Sequence, residues 1–425
     1  MNSTKPEIIK NKIALIHPGP SVFVKNNILS LYENDLLEKF YTTYVHHPDY
    51  VLSNVIDSIG RLNSSIKKEF IRRSFSEIPF EFIHTYPYAE LVRVFVNRII
   101  KSPRLTHLVW EKSEPMFSRN AANSIGKQAT GIYTYEGNAF DALKEAKRKN
   151  QFSWYEMVSQ HELYFHDLLT DQIKKYPQLN TPYYSNLLES EKSKYSKRKN
   201  EELKMADRII CNSNFTKKTI QYAGLSTENV KIIPLGSPEP VSEIKNKPEK
   251  MKFIYAGNQS VRKGIHILIE AWKNSGIKPN EAELLLVGSK DLPNDFYSDL
   301  PENIKVISNI PHNELLKLFD ESSMFILPTL ADGFGMVITE AMSRGIPVLA
   351  TNNCAGPDLI THGLNGLLIE AGNSAALVEQ MKWAVSHNSE INQMGIKAKE
   401  KSSQWQWSDY RKAWLEIVLS DLKNA

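Results

Sequence analysis

Cysteine is nearly absent from this chain. Its 425 residues hold two, Cys211 and Cys354, with no Cys-x-x-Cys pair, which excludes a disulfide framework and suits a reducing cytosol. No apolar run approaches the ~20 residues a membrane-spanning helix needs. The first residues, MNSTKPEIIKNKIALIHPG, carry no secretory apolar core. The expectation is a cytoplasmic protein, soluble or peripheral on the inner face of a membrane. The first strand–loop–helix lacks Gly-x-Gly-x-x-Gly, so no dinucleotide site is read there.

An apolar fraction of 41% and a charged fraction of 24% belong to a globular protein, and the length suggests two domains. The net charge of +4 is unevenly spread. Residues 1–236 hold 33 of the 52 Lys and Arg residues but 25 of the 48 Asp and Glu residues. The first half is therefore basic and the rest mildly acidic. A basic half can meet an anionic membrane, a phosphorylated lipid or nucleic acid, although a solvated surface also accounts for so modest an excess.

Lys12 to His17 reads as a strand, Pro18-Gly19-Pro20-Ser21 as a tight loop and Val22 to Glu33 as a helix. That is the opening of a nucleotide-fold domain. A second strand lies near Leu36–Tyr44, and residues 50–128 read mostly as helix, basic at Lys67, Lys68, Arg72 and Arg73 and aromatic from Phe80 to Tyr88. Such a segment packs helices or forms an acceptor or membrane surface. Strands follow at Gly131–Tyr135 and Phe152–Met157, with a helix at Phe140–Lys149 between them. His161 comes just past the second of these strands, where a ligand crevice opens; one histidine taken alone is more often structural. Asn186–Asp207 is a charged helical stretch, Arg208–Asn212 a strand, Ser213-Asn214-Phe215 a helix cap and Val230–Pro234 a further strand. LGSPEPVSEIKNKPEK, residues 235–250, is the linker candidate.

The pattern then restarts. Lys252–Gly257 is a strand, Asn258–Lys263 a loop and Gly264 the entry to a helix ending near Trp272. Arg262 and Lys263 stand at that loop-to-helix junction, where cations and N–H groups together would grip a diphosphate; alone, the pair reads as an ordinary basic loop. Leu284–Gly288 and Lys305–Ile307 are strands, and His312–Phe319 is a helix. Alternating strands and helices make a second parallel, helix-covered sheet.

The chain is organised around MFILPTLADGFGMVITEAMSRGIPVLATNNCAGPDLITHGLNGLLIEAGN, residues 324–373, read as strand, loop, helix, strand, loop. Asp332 lies in the loop before the helix, and Glu340 about one turn into it. The glycines at 333 and 335 let backbone approach a ligand, and the helix start offers free N–H groups to an anion. For this unit alone a turn, an N-cap and a solvated acid suffice. Its surroundings favour a site for something polyhydroxylated and phosphorylated.

AGNQSVRKGIHILIEAW and PTLADGFGMVITEAMSRGIPVLAT, with two nucleotide-type α/β domains and a Pro-rich hinge, resemble the retaining glycosyltransferases of the GT-B fold, glycosyltransferase family 4. The likeness is most specific from Phe253 to Asn373, looser over ELKMADRIICNSNFTKKTI and IIPLG, and only in outline through the first 130 residues. It implies an α/β protein of two doubly wound Rossmann-like domains facing across a cleft. The acceptor-side domain would span residues 1–236 and the sugar-nucleotide domain 251–405, with a helix at 406–425 crossing back to the first.

The resemblance also implies roles. Glu340 matches the acid that holds the donor's ribose. Asp332 stands where the family usually has Glu, near the hydroxyls of the transferred sugar. Gly333, Phe334 and Gly335, with Met336 and Val337, face sugar and phosphate. Lys263 matches the diphosphate lysine, and Asn258 replaces an expected arginine for which Arg262 would substitute. Gly19 approaches the phosphates, His161 contacts the sugar, and Gly288, Ile310 and Pro311 border the nucleotide.

The implied activity is transfer of a hexose-type sugar, with retention, from a UDP- or GDP-sugar to a glycan, lipid-linked or protein acceptor, in polysaccharide, glycolipid or glycoprotein biosynthesis. The nucleotide sugar is a substrate and no cofactor is expected. With no Asp-x-Asp triplet in the chain, no metal is invoked; Lys263, Arg262 and helix N–H groups would stabilise the leaving diphosphate. Nucleic acid is not an expected partner. The rival readings are a sugar-nucleotide epimerase of the same fold, which needs a carboxylate cluster in the first domain, and a non-catalytic sugar-nucleotide binder.

Overall fold

Short apolar runs separated by glycine loops become strands buried on both faces, as parallel sheets require. The computed structural model describes residues 11–60, 64–96, 100, 103–191, 194–245 and 247–424. Strands β1 (Ile13–Ile16), β2 (Leu37–Thr42), β3 (Ile83–Thr85), β4 (Gly131–Tyr135), β5 (Phe152–Met157), β6 (Arg208–Cys211) and β7 (Val230–Ile232) form one sheet in the order β3-β2-β1-β4-β5-β6-β7. A second sheet holds β8 (Met251–Ala256), β9 (Ala282–Val287), β10 (Ile304–Ile307), β11 (Met324–Leu327), β12 (Val348–Thr351) and β13 (Gly366–Ile369), ordered β10-β9-β8-β11-β12-β13. Every pair from β3 to β5 and from β10 to β13 is parallel. Strand order reverses beside β1 and β4 in the first sheet and beside β8 and β11 in the second. A doubly wound sheet opens its ligand crevice at such a reversal, outside the carboxyl ends of the strands.

Two strands differ from the sequence reading. Within the segment expected to be mostly helical, helices Val51–Gly60, Pro87–Phe95 and Pro103–Ser124 do form, but Ile83–Thr85 is strand β3. Gly366–Ile369, expected as loop, is β13. Both are edge strands of three or four residues. Each is fixed by its neighbour, Phe40 opposite Ile83 and Val348 opposite Gly366, and so short a run carries no periodicity of its own. Between β7 and β8 no helix or strand occurs among the described residues.

The chain divides into two compact units. The first comprises Met1–Met157, Lys197–Ile210 and Arg411–Ala425, and the second Val158–Ser196 and Cys211–Tyr410. From Arg411 onward the closing helix, Trp407–Asn424, belongs to the first unit and is pinned there by polar anchors inside an apolar seat. Trp414 is fully buried and donates its Nε1–H to the Tyr133 hydroxyl at 2.7 Å. Asp421 accepts from Trp154 Nε1 at 2.9 Å and from Arg208 Nη2 at 2.6 Å. Beside them the Glu156 carboxylate, also buried, accepts from Tyr133 at 2.6 Å and from Asn27 at 3.0 Å. Burial pushes that carboxyl up to about 7, against the two hydrogen bonds that favour its charge. Among the described residues no helix is long and apolar enough to cross a membrane.

Candidate functional site

The second unit builds its site around the ends of β8 and β11. After β8 the chain loops through residues 257–263 and enters the helix Ile265–Ser275 at Gly264. Gly264 has φ of +70°, and a Cβ there would lie 2.0 Å from the Pro328 carbonyl oxygen. Only glycine permits that approach, and it draws Arg262 and Lys263 against the end of β11. The Arg262 carbonyl accepts from Leu330 N–H at 2.9 Å and from Thr329 Oγ1 at 3.1 Å. Its guanidinium donates to the Ala331 carbonyl at 2.9 Å and lies 3.7 Å from Asp332 Oδ1. Lys263 Nζ forms an ion pair with Asp332 Oδ2. Two cations and one carboxylate thus converge at the loop after β11.

That loop is held from several sides. Asp332 donates its N–H to the Asn353 carbonyl at 2.9 Å, and Asn353 Nδ2 donates to the Leu330 carbonyl at 2.8 Å and to Tyr164 Oη at 2.7 Å. Gly333 packs against Val158 so closely that a Cβ would lie 1.9 Å from its carbonyl oxygen. Ser213 donates its hydroxyl to the Gly333 carbonyl, and Thr216 Oγ1 lies 3.2 Å from the same oxygen. The Phe334 ring is buried, and its carbonyl accepts from Ala355 N–H at 3.1 Å. The N–H groups of Phe334, Gly335, Met336 and Val337 find no acceptor among the described residues. They precede or open the helix Met336–Ser343, whose N-terminus carries partial positive charge. Four free donors in a row beside Lys263 make a seat for an oxyanion.

Glu340, on the same helix, belongs to a second group. Its Oε2 lies 3.5 Å from His312 Nε2. His312 opens the helix His312–Asp320, capped by Pro311, so Glu340 stands beside the turn that contains Ile310 and Pro311.

Residues 239–401 match the family described as glycosyl transferases group 1. The match takes in β8 to β13 and the loops after β8 and β11. CapM of Staphylococcus aureus, a capsular polysaccharide biosynthesis glycosyltransferase, is 26% identical over 225 residues, 47% of this chain and 59% of CapM. An uncharacterized 41.2 kDa protein in the cps region of Klebsiella pneumoniae is 27% identical over 223 residues, 49% of this chain and 61% of that protein. The chain therefore spans about three fifths of the length of these curated relatives. The structure of HepE from Anabaena in complex with UDP-glucose superimposes with a TM-score of 0.57, covering 96% of this chain and 99% of HepE at 16% identity. At that identity the likeness shows the fold, which is GT-B.

In the matched region, the remaining expected residues occupy neighbouring loops. Asn258 follows β8; its Oδ1 accepts from Ser289 Oγ at 2.8 Å and its carbonyl from Tyr255 Oη at 2.6 Å. Gly288 follows β9 and donates its N–H to the Ile307 carbonyl at 2.9 Å. Asn258 is thus fixed by neutral partners, and the cations beside Asp332 are Arg262 and Lys263.

His161, in the second unit, caps the helix Glu162–Lys175. Its Nδ1 accepts from Leu163 N–H at 3.1 Å, and its own N–H donates to Thr219 Oγ1 at 3.0 Å. With Nδ1 an acceptor, Nε2 is the ring nitrogen left to donate. The same helix sends Tyr164 to Asn353, behind Asp332. Gly19 belongs to the first unit, where its N–H donates to His17 Nδ1 at 3.1 Å. Burial lowers the His17 pKa to about 4, keeping the ring neutral.

Sequence reasoning missed Asn353, Tyr164, Thr216 and His312. It read Ser213 only as a helix cap. The cap signal at Ser213 was visible, but the carbonyl it serves lies 120 residues away. Nothing local marks that pairing. Cys354 lies in the loop after β12, and burial pushes its thiol up to about 12, which removes it as a nucleophile at neutral pH.

Proposed function

We propose that the protein is a glycosyltransferase that moves a hexose-type sugar from a nucleotide-diphosphate donor to a hydroxyl of a glycan or lipid-linked acceptor, with retention, in polysaccharide biosynthesis. The observation that carries this reading is the meeting of Lys263, Arg262 and Asp332 beside the free N–H groups of Phe334 to Val337. Cations with unpaired backbone donors fit a diphosphate, and a carboxylate at their edge fits sugar hydroxyls. HepE, of the same fold, binds UDP-glucose and UDP, which supports a uridine nucleotide as the donor.

Bond cleavage at the sugar's anomeric carbon leaves negative charge on the diphosphate. Lys263 and Arg262, with the N–H groups of Met336 and Val337, stabilise that charge where it develops. A bound diphosphate replaces Asp332 as the partner of Lys263, and the released carboxylate accepts from the sugar. Glu340, beside the Pro311 turn, holds the ribose, and His161 orients the sugar. The acceptor hydroxyl attacks from the face the diphosphate leaves and passes its proton to the departing phosphate oxygen, which gives retention.

The acceptor side is assigned to a cavity of about 300 Å³ in the first unit, lined by Pro18, Thr43, Arg73, Glu90, Arg93 and Asn138 among others. Pro18, Thr43 and Asn138 follow β1, β2 and β4, so this cavity lies at the strand-order reversal of the first sheet.

The test is a panel of UDP-glucose, UDP-N-acetylglucosamine, GDP-mannose and ADP-glucose incubated with the full chain and a cell-extract acceptor fraction, reading nucleotide release and glycan product. One donor is expected to turn over, and Glu340→Ala to lower its rate at least ~100-fold. Absence of turnover with every donor overturns the reading; near-normal rates in Glu340→Ala overturn the assignment of Glu340.

A further inference from the structure

The hydroxyl of Ser213 is more than a helix cap. It accepts from Thr216 N–H at 3.1 Å, which caps the helix Asn214–Tyr222, and it also donates to the Gly333 carbonyl. Ser213 is fully buried, as is Thr216. Thr216 Oγ1 stands 3.2 Å from both the Gly333 carbonyl and Asn212 Oδ1, so its single proton serves one of them at a time. Asn212 Nδ2 in turn donates to the Val158 carbonyl at 3.0 Å, the same oxygen that excludes any side chain at position 333. The loops after β5 and β6 therefore form one seat: the Val158 carbonyl sets how near Gly333 comes, and the Ser213 hydroxyl sets which way its carbonyl turns.

A trans peptide is planar, with C=O and N–H on opposite edges. Fixing the Gly333 carbonyl therefore fixes the Phe334 N–H on the far edge of the same peptide. That N–H is the first of the four free donors and the nearest in sequence to Asp332. We infer that Ser213, seconded by Thr216, is a positioning residue of the donor site: it aims the Phe334 N–H at the transferred sugar. The inference rests on the proposed glycosyl transfer. Its mark is a role in turnover separate from nucleotide affinity, because Lys263 and the helix start hold the diphosphate.

The experiment uses the full chain, the UDP-sugar or other donor that the wild type turns over in the panel above, and calorimetric titration with the matching nucleoside diphosphate. Ser213→Ala is expected to lower kcat about tenfold or more while leaving the Kd for the nucleoside diphosphate within about twofold. Ser213→Thr, which keeps the hydroxyl, restores kcat to within about threefold of wild type. Thr216→Val keeps shape and loses one hydroxyl, and lowers kcat about threefold. Melting temperatures accompany each variant, and rates are measured well below them. A kcat within twofold of wild type in Ser213→Ala overturns the inference. So does a kcat that falls in step with nucleotide affinity and melting temperature. If Ser213→Ala does not fold, Thr216→Val decides, and an unchanged kcat there overturns it. A wild type that turns over no donor removes the proposed function itself, a result distinct from an active wild type whose variants match it.

Discussion

Glu156 in the first unit and Asp332 in the second are both carboxylates withdrawn from solvent, yet they are kept in opposite company. Glu156 is fully enclosed and accepts from two neutral groups, Tyr133 and Asn27. Asp332 is flanked by two cations, Lys263 and Arg262. Neutral hydrogen bonds make a fixed network that holds the closing helix through Tyr133 and Trp414. An ion pair at a loop mouth is exchangeable, because an incoming anion can replace the carboxylate. The difference separates a polar group that specifies structure from one that is available for chemistry, even though both appear in the sequence as single acids near strand ends.

The comparison breaks most sharply in turnover. Asp332→Ala is expected to reduce donor turnover by ~100-fold or more, whereas Glu156→Gln leaves kcat within about twofold. Equal losses in both variants, measured as steady-state rates at one pH, would merge the two roles.

Stability against pH gives the next effect. The folded Glu156 carboxyl titrates at about 7, above its ordinary value. Its proton is therefore held more tightly in the folded chain, and stability falls as pH rises from about 4.5 to about 7, then levels. The difference amounts to roughly 3 kcal/mol at most. Denaturant melts at pH 5 and pH 7.5 should show Glu156→Gln losing less stability over that interval than the wild type. Buried His17 acts in the other direction: its folded pKa, near 4, lies below the ordinary value, so its contribution is lost as pH falls from about 6.5 to 4. Comparing the variant with the wild type at each pH cancels the histidine's part.

A smaller effect is expected at the anchor of the closing helix. Asp421→Ala removes the carboxylate that accepts from both Arg208 and the Trp154 indole N–H. With Arg208 partly solvated, the loss is about 2 kcal/mol in chemical denaturation. The exposed pair Lys397–Glu400 at 2.8 Å marks the floor: Lys397→Ala should change stability by no more than about 0.5 kcal/mol.

Much of this was legible before the structure. The helices Val22–Glu33 and Phe140–Lys149 and the strands at 131–135 and 152–157 follow from apolar runs bounded by glycine, proline and charge. Arg262, Lys263 and Asp332 were each visible as charged residues at loop–helix junctions, and the structure joins them. What could not be read were pairings without local cause. Glu340 lies against His312, next to the Pro311 turn, and the short strands β3 and β13 are each paired with a neighbour distant in sequence, β2 and β12. The departure at position 258 was readable as a change of residue, but its surroundings were not. The Ser289 hydroxyl that satisfies Asn258 comes from the loop after β9.

Lys263 is proposed to hold the diphosphate of a nucleotide-sugar donor. Calorimetric titration of the full chain with UDP, and with GDP and ADP in parallel, tests it against Lys263→Ala. One nucleoside diphosphate is expected to bind the wild type, and the variant to bind it at least ~10-fold more weakly, the loss of a charge-assisted contact. Equal affinity in both proteins would contradict it.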